Sequence, residues 1–285
     1  MSKDHIVQTS DLLRPRHVGM PIRRTEDPRL LTGNGEYASD RKPDRALHVA
    51  FRRSEQPHAR IARIDADGAR AAPGVVAVLT ADDLAEDYKP VIPVSRMPNY
   101  YATPITALAS KKVRYVGEAV VAVVAEDRYL AEDALELIDI EYEPLGAVTD
   151  PEFAVSGDAP LLHEEAATNV LIAREFRKGD VAADLATAHV RVRDRFQMTR
   201  KAPLAMEPRS YSAEFERKRD SITLYASSNI PGIVRDALAE SLDLPGSRLR
   251  VVAPDVGGSF GSKGSLYPEE IFLCVAARKL RRSLK

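Results

Sequence analysis

The sequence predicts an α+β protein, and three observations carry that prediction. Short β-branched runs bounded by turn formers are interspersed with segments whose apolar residues recur at helical spacing, and a glycine-rich stretch stands between a strand-like run and a helix-like one near the C-terminal end. At 285 residues, with 44% hydrophobic and 29% charged, the chain is long enough to bury a sizeable core in one large or two ordinary domains.

The elements follow in order. RALHVAFRRS (45–54) and ARIARIDA (59–66) read as strands, and GVVAVLTADDL (74–84) begins as a third after Pro73-Gly74. VRYVGEAVVAVVAED (113–127) is the most apolar stretch, too short for a bilayer and rich in valine, so it reads as a buried strand. In RYLAEDALELIDIEYEP the residues Ala131, Ala134, Leu135 and Ile138 fall on one helix face, with Glu132, Asp133 and Glu136 turned away, before the alternating strand IDIEYEPL. Residues 19–150 are therefore expected to form one α+β domain, and 151–168, proline-bearing and acidic without a sustained period, an inter-domain linker.

Residues 169–285 are expected to form the second domain. LIAREFRKGD, VAADLATA and HVRVRDRFQMTR suggest strand, helix, strand, and SYSAEFERKRDSITLYAS suggests a hairpin turning at Lys218 to Asp220. Ile230, Ile233, Val234, Ala237 and Leu238 form a helical stripe; RLRVVAPD is a strand. PEEIFLCVAARKLRR places Pro268, Glu269 and Glu270 in the first turn of a helix and Arg278, Lys279, Arg281 and Arg282 in its last, which matches the helix dipole.

Composition excludes several functions. Lysine and arginine (41) nearly cancel aspartate and glutamate (42), so no global field attracts nucleic acid or anionic membrane. The one cysteine, Cys274, excludes an internal disulfide, a cysteine-ligated iron–sulfur cluster and a multi-cysteine zinc site. It falls in an apolar helical stretch and is expected to be a buried, inert thiol. The opening MSKDHIVQTSDLLRPRHV lacks the apolar core of a secretory signal, which points to the cytoplasm, and the histidines show no metal-ligand spacing. His58 is expected to be a structural hydrogen-bonding residue; Glu207 and Arg209 in MEPR form an ion pair fixing the hairpin or contact substrate.

The stretch DVGGSFGSKG (255–264) concentrates chemistry. Strand, glycine loop and helix in that order let backbone N–H groups converge on an anion, because glycine removes the Cβ that blocks close approach. It matches neither G-x-x-x-x-G-K-[ST] nor G-x-G-x-x-G, which disfavours a nucleotide-binding protein. A plain strand-to-helix connection remains the other reading, against which Phe260 argues.

GMPIRRTEDPRLLTGNGEYASD, RRSEQPHARIARID, PGVVAVLTADDL, MEPRSYSAEF and SSNIPGIVRDALAESLDLPGSRLRVVAPDVGGSFGSKG, in this order, resemble the molybdenum-binding large subunit of the xanthine dehydrogenase, aldehyde oxidase and carbon monoxide dehydrogenase family over nearly the whole chain. The resemblance implies an a/b hammerhead domain (19–150) followed by the beginning of a molybdopterin-binding domain (169–285). It implies a molybdenum–molybdopterin cofactor, in the cytosine dinucleotide form, held by Asn229, Gly257, Gly258, Ser259, Phe260 and Gly261, with no protein side chain as metal ligand. It further implies [2Fe-2S] and FAD groups on an iron–sulfur small subunit and a FAD-binding medium subunit, and hydroxylation of aldehydes or aromatic N-heterocycles with water-derived oxygen.

Three departures from the family pattern stand out. Asn229 replaces a glutamine of the S-T-Q pattern and is one methylene shorter. Ser259 and Ser262 replace glycines, which is harmless only at negative φ. The general-base glutamate and second molybdopterin-binding domain of the family lie in a C-terminal part beyond Lys285, so no residue here takes the base role, and Glu269 and Glu270 read as helix caps. The chain is expected to be a truncated or split large subunit, inactive alone; the rival expectation is a non-catalytic remnant or a subunit-docking module.

Overall fold

The computed structural model describes residues 18–285. The N-terminal stretch read above for a secretory signal lies almost entirely outside them. The chain divides into a short unit ending at Glu36, whose described part holds helix α1 (Asp27–Leu31), and a large unit, Tyr37–Lys285.

In chain order the large unit contains β1 (His48–Arg53), β2 (Ala59–Asp65), α2 (Asp67–Ala71), β3 (Val75–Leu79), α3 (Ala81–Leu84), β4 (Lys112–Val113), β5 (Ala119–Ala125), α4 (Arg128–Leu135) and β6 (Asp139–Pro144). Beyond them come α5 (Pro151–Ala154), α6 (Val181–Thr187), β7 (Tyr211–Glu216), β8 (Ser221–Ala226), α7 (Pro231–Ser241), β9 (Leu249–Val252) and α8 (Pro268–Leu280). Three three-stranded sheets result, ordered β1-β5-β3, β4-β2-β6 and β7-β8-β9.

Every residue of β5 is buried, because antiparallel partners flank it on both edges and α4 packs on one face. The apolar run expected over 113–127 is broken into β4 and β5 by a turn at Gly117, whose φ of 93° suits glycine. α4 buries Ala131 and Ala134, as its stripe requires, and Asp127 caps it by accepting from the Tyr129 amide at 2.7 Å. β7 and β8 form the expected hairpin, and β9 runs parallel to β8 because α7 provides the crossover. Of the α7 stripe, Val234 and Leu238 are buried, whereas Ile233 is 64% exposed.

Two expected strands are corrected. Residues 171–180 and 189–200 join no ladder; in the latter, Val190, Val192, Phe196 and Met198 stand exposed. Their alternation suits a sheet, but strand conformation persists only where backbone donors and acceptors find a partner edge. Arg281 and Arg282 also lie past the end of α8, with Arg281 in the left-handed region, so only Arg278 and Lys279 occupy its last turn.

The larger of two buried apolar clusters links the early strands of the large unit to α7 and α8, while a second gathers Ala59, Val78, Val113, Val121, Ala131 and Ile138. Leu47, Leu79, Leu84 and Val124 share the larger cluster with Leu224, Leu238, Phe272 and Leu284, and the rings of Phe51 and Phe272 meet edge-on at 5.1 Å. α8 is buried along most of its length, from Glu269 to Ala277, so the helix leaving the glycine loop is the most deeply anchored in the fold. No helix among the described residues is long and apolar enough to cross a membrane.

Candidate functional site

β9 delivers the chain to the glycine loop, and α8 carries it away. Between them, one carboxylate ties both ends of the loop. Glu207 Oε2 accepts from the Gly257 amide at 2.6 Å and from Lys263 Nζ at 2.7 Å. Lys263 and Glu207 side chains are only 1% and 9% exposed, so this is a buried ion pair whose desolvation is offset by close hydrogen bonding. Glu207 Oε1 is buried with no hydrogen-bond partner among the described residues.

The serine positions meet the condition set by the sequence. Neither Ser259 nor Ser262 has a positive φ, whereas Gly258 (97°), Phe260 (50°) and Gly261 (101°) do. The serine hydroxyls brace the bend: Ser262 Oγ donates to the Ser259 carbonyl at 2.8 Å, and Ser259 Oγ accepts from the Lys263 amide at 3.2 Å. Tyr267 OH closes the far side by donating to the Ser262 carbonyl at 2.6 Å. The amides of Gly258, Ser259, Phe260 and Gly261 donate to no acceptor among the described residues. A run of uncommitted donors on a braced bend is available to an oxygen-bearing ligand.

Phe260 is 77% exposed in a conformation that costs an L-residue roughly 1–2 kcal/mol, so its ring is held out over the loop rather than packed in the core. Gly257 has no room for a side chain: an added Cβ would lie 2.6 Å from Glu207 Cβ. Asn229 is exposed beside the loop, its backbone N–H donating to the Lys263 carbonyl at 2.9 Å. The structure thus gathers all six candidate residues in one neighbourhood.

Sequence reasoning missed Lys263 and the partner of Glu207. Glu207 pairs with Lys263, not Arg209, which stacks on the Tyr267 ring at 3.6 Å; Glu207 and Arg209 both precede β7. A lysine inside a glycine-rich bend was the available signal, since burying it demands an acid from elsewhere in the chain.

The helix acids are more than dipole caps. Glu270 Oε2 does accept from the Tyr267 amide at 2.8 Å, but the side chain is buried, which pushes its carboxyl up to about 7. Glu269 is buried and pairs with Arg53 of β1 at 2.8 Å. Cys274 is fully buried, and desolvation followed by the nearby Glu270 charge raises its thiol well above the ordinary range. His58 Nδ1–H donates to the Gly146 carbonyl at 2.8 Å, a structural role. Among the described residues, no cluster of three or more His, Cys, Asp or Glu could hold a metal ion.

A buried helix behind a donor-rich glycine bend is an arrangement able to receive an oxygen-rich ligand on main-chain amides. Family models define the class of protein: residues 32–146 match the aldehyde oxidase and xanthine dehydrogenase a/b hammerhead domain, and 162–285 the molybdopterin cofactor-binding domain. Over 94% of its length the chain is 37% identical to the nicotine 6-hydroxylase large subunit of Paenarthrobacter nicotinovorans, covering 33% of that protein. Over 91% it is 36% identical to the carbon monoxide dehydrogenase large chain of Hydrogenophaga pseudoflava, again covering 33%. The crystal structure of quinoline 2-oxidoreductase from Pseudomonas putida 86 superposes with a TM-score of 0.87 at 37% identity, over 95% of this chain and 34% of the other. The chain belongs to the family of molybdenum-binding large subunits of xanthine dehydrogenase, aldehyde oxidase and carbon monoxide dehydrogenase. It spans about a third of the length of the relatives it matches.

Proposed function

We propose that this chain is part of a molybdenum hydroxylase that oxidises an aldehyde or aromatic N-heterocycle, and that Asn229, Gly257, Gly258, Ser259, Phe260 and Gly261 line the cofactor. The carrying observation is the run of four uncommitted amides from Gly258 to Gly261, braced by the Glu207–Lys263 pair. These residues fit a molybdenum–pyranopterin group: the amides suit phosphate or oxo oxygens, and the buried Glu207 Oε1 suits one ring N–H. Such a group, when bound, supplies the two-electron oxidation of an activated C–H.

The chain's own contribution is positional. Fixed amide dipoles in a partly buried site stabilise charge on oxygen without reorganising, and the held-out Phe260 ring shields that site from water. The cytosine dinucleotide form of the cofactor, partner subunits carrying [2Fe-2S] and FAD, and a base from further large-subunit polypeptide complete this reading. The 285 residues alone are accordingly expected to be inactive.

Purification from the native host with metal analysis tests the proposal. Molybdenum and cytosine nucleotide co-purifying with iron–sulfur and flavin polypeptides support it. Chain recovered without molybdenum, or turning over aldehydes or heterocycles by itself with a dye acceptor, refutes it.

A further inference from the structure

Asparagine is a chemically labile side chain, and this protein carries it at positions 34, 99, 169 and 229. The backbone nitrogen of the following residue can attack its Cγ, closing a five-membered imide and expelling the side-chain nitrogen as ammonia. Two conditions govern that step. The attacking N–H must be uncommitted, and the residue bearing it must be small, because a Cβ crowds the approach.

Three of the four sites fail. At Asn169, Oδ1 accepts from the Leu162 amide and Nδ2 donates to the Ala154 and Pro160 carbonyls, each at 3.1 Å, while the next amide, that of Val170, donates to Thr168 Oγ1 at 3.1 Å. Asn229 is exposed, but β-branched Ile230 follows it and spends its N–H on Ser228 Oγ at 3.2 Å. Asn99 is exposed too, yet bulky Tyr100 follows and Asn99 itself sits in the left-handed region with φ of 55°.

Asn34 meets both conditions. It is exposed and lies past the end of α1, outside any helix or strand. Its Nδ2 donates to Thr32 Oγ1 at 2.9 Å, a bond between exposed groups that water replaces at little cost. The next residue is Gly35, which lacks a Cβ and whose N–H donates to no acceptor among the described residues.

We propose that Asn34–Gly35 is a self-modification site. Gly35 N bonds to Asn34 Cγ, the Cγ–Nδ2 bond breaks, and the displaced proton leaves with Nδ2 as ammonia. Water then opens the imide at either carbonyl, leaving an ordinary aspartyl residue or a β-linked one, and neither oxidant nor cofactor takes part. Both products add a negative charge. The β-linked form also lengthens the main chain by a methylene three residues ahead of Tyr37, whose backbone bridges Asp255 at the head of the glycine loop. The inference is independent of the cofactor reading.

Incubating the intact chain in warm, mildly alkaline buffer and mapping its peptides by mass tests the site. Asn34 should gain the acid mass at least about tenfold faster than Asn99, Asn169 or Asn229, with the β-linked and ordinary products resolved as separate chromatographic peaks. Gly35→Ala should slow the conversion about tenfold by restoring the Cβ, and Asn34→Gln should abolish it. A parallel incubation in denaturant sets the ceiling, and the folded chain should convert within about tenfold of that rate. Conversion at Asn34 no faster than at Asn99, equal rates in the parent and Gly35→Ala, or conversion confined to the unfolded chain each overturns the proposal.

Discussion

Lys263 Nζ lies 2.7 Å from Glu207 Oε2, and the same oxygen takes the Gly257 amide at 2.6 Å, so one buried carboxylate fixes where the glycine loop begins and where it ends. Because that oxygen is shared, loop geometry and pair stability are coupled. Lys263→Met leaves the Glu207 charge buried and unpaired and should cost about 3–5 kcal/mol. Adding Glu207→Gln should recover much of that loss, and a double-mutant cycle by chemical denaturation measures the coupling.

The loop glycines separate crowding from backbone conformation. Gly257→Ala brings a Cβ to 2.6 Å from Glu207 Cβ and should destabilise by about 1–3 kcal/mol. At Gly261 an added Cβ meets nothing within 4 Å but φ is 101°, so alanine there should cost roughly 1 kcal/mol through strain alone. Gly264→Ala, with its nearest neighbour at an ordinary 3.6 Å, should stay within about 0.5 kcal/mol; denaturant midpoints of the three variants check the order.

Phe260 holds a positive φ while keeping its ring exposed. Phe260→Asn, which tolerates that region better, should stabilise the cofactor-free chain by about 0.5–1 kcal/mol in thermal or denaturant melts. Molybdenum retained by the assembled protein should fall in the same variant.

Glu270 gives the fold a pH dependence. Burial raises its carboxyl from an unperturbed 4.5 to about 7, so the folded state keeps a proton that the unfolded state releases. Its contribution is full below the unfolded value and is lost as pH rises through about 7. Glu270→Gln removes this slope and, with the acceptor to the Tyr267 amide retained, should be more stable than the parent at pH 8 by up to roughly 3 kcal/mol; melts between pH 5 and 8 read the difference.

Cys274 is fully buried in α8 with its thiol raised by desolvation. Alkylation by iodoacetamide at pH 8 should run below about one-hundredth of the rate for an unfolded cysteine and recover fully in denaturant, as mass spectrometry would show.

Sequence by itself determined most local elements and where the glycine loop falls between strand and helix. Valine density marked β5, helical spacing marked α4, glycines bracketing Phe260 marked the donor-rich bend, and ordered motifs marked the family, because each signal lies within a few adjacent residues. Tertiary structure alone decided that Lys263 is buried against Glu207, 56 positions away, that Glu269 joins Arg53 across the fold, and that Ser283–Lys285 stitches two sheets together. It also decided that the alternating residues 189–200 remain outside any ladder. Periodicity reports what a segment can become, whereas burial and pairing depend on which distant edge or charge the folded chain brings beside it.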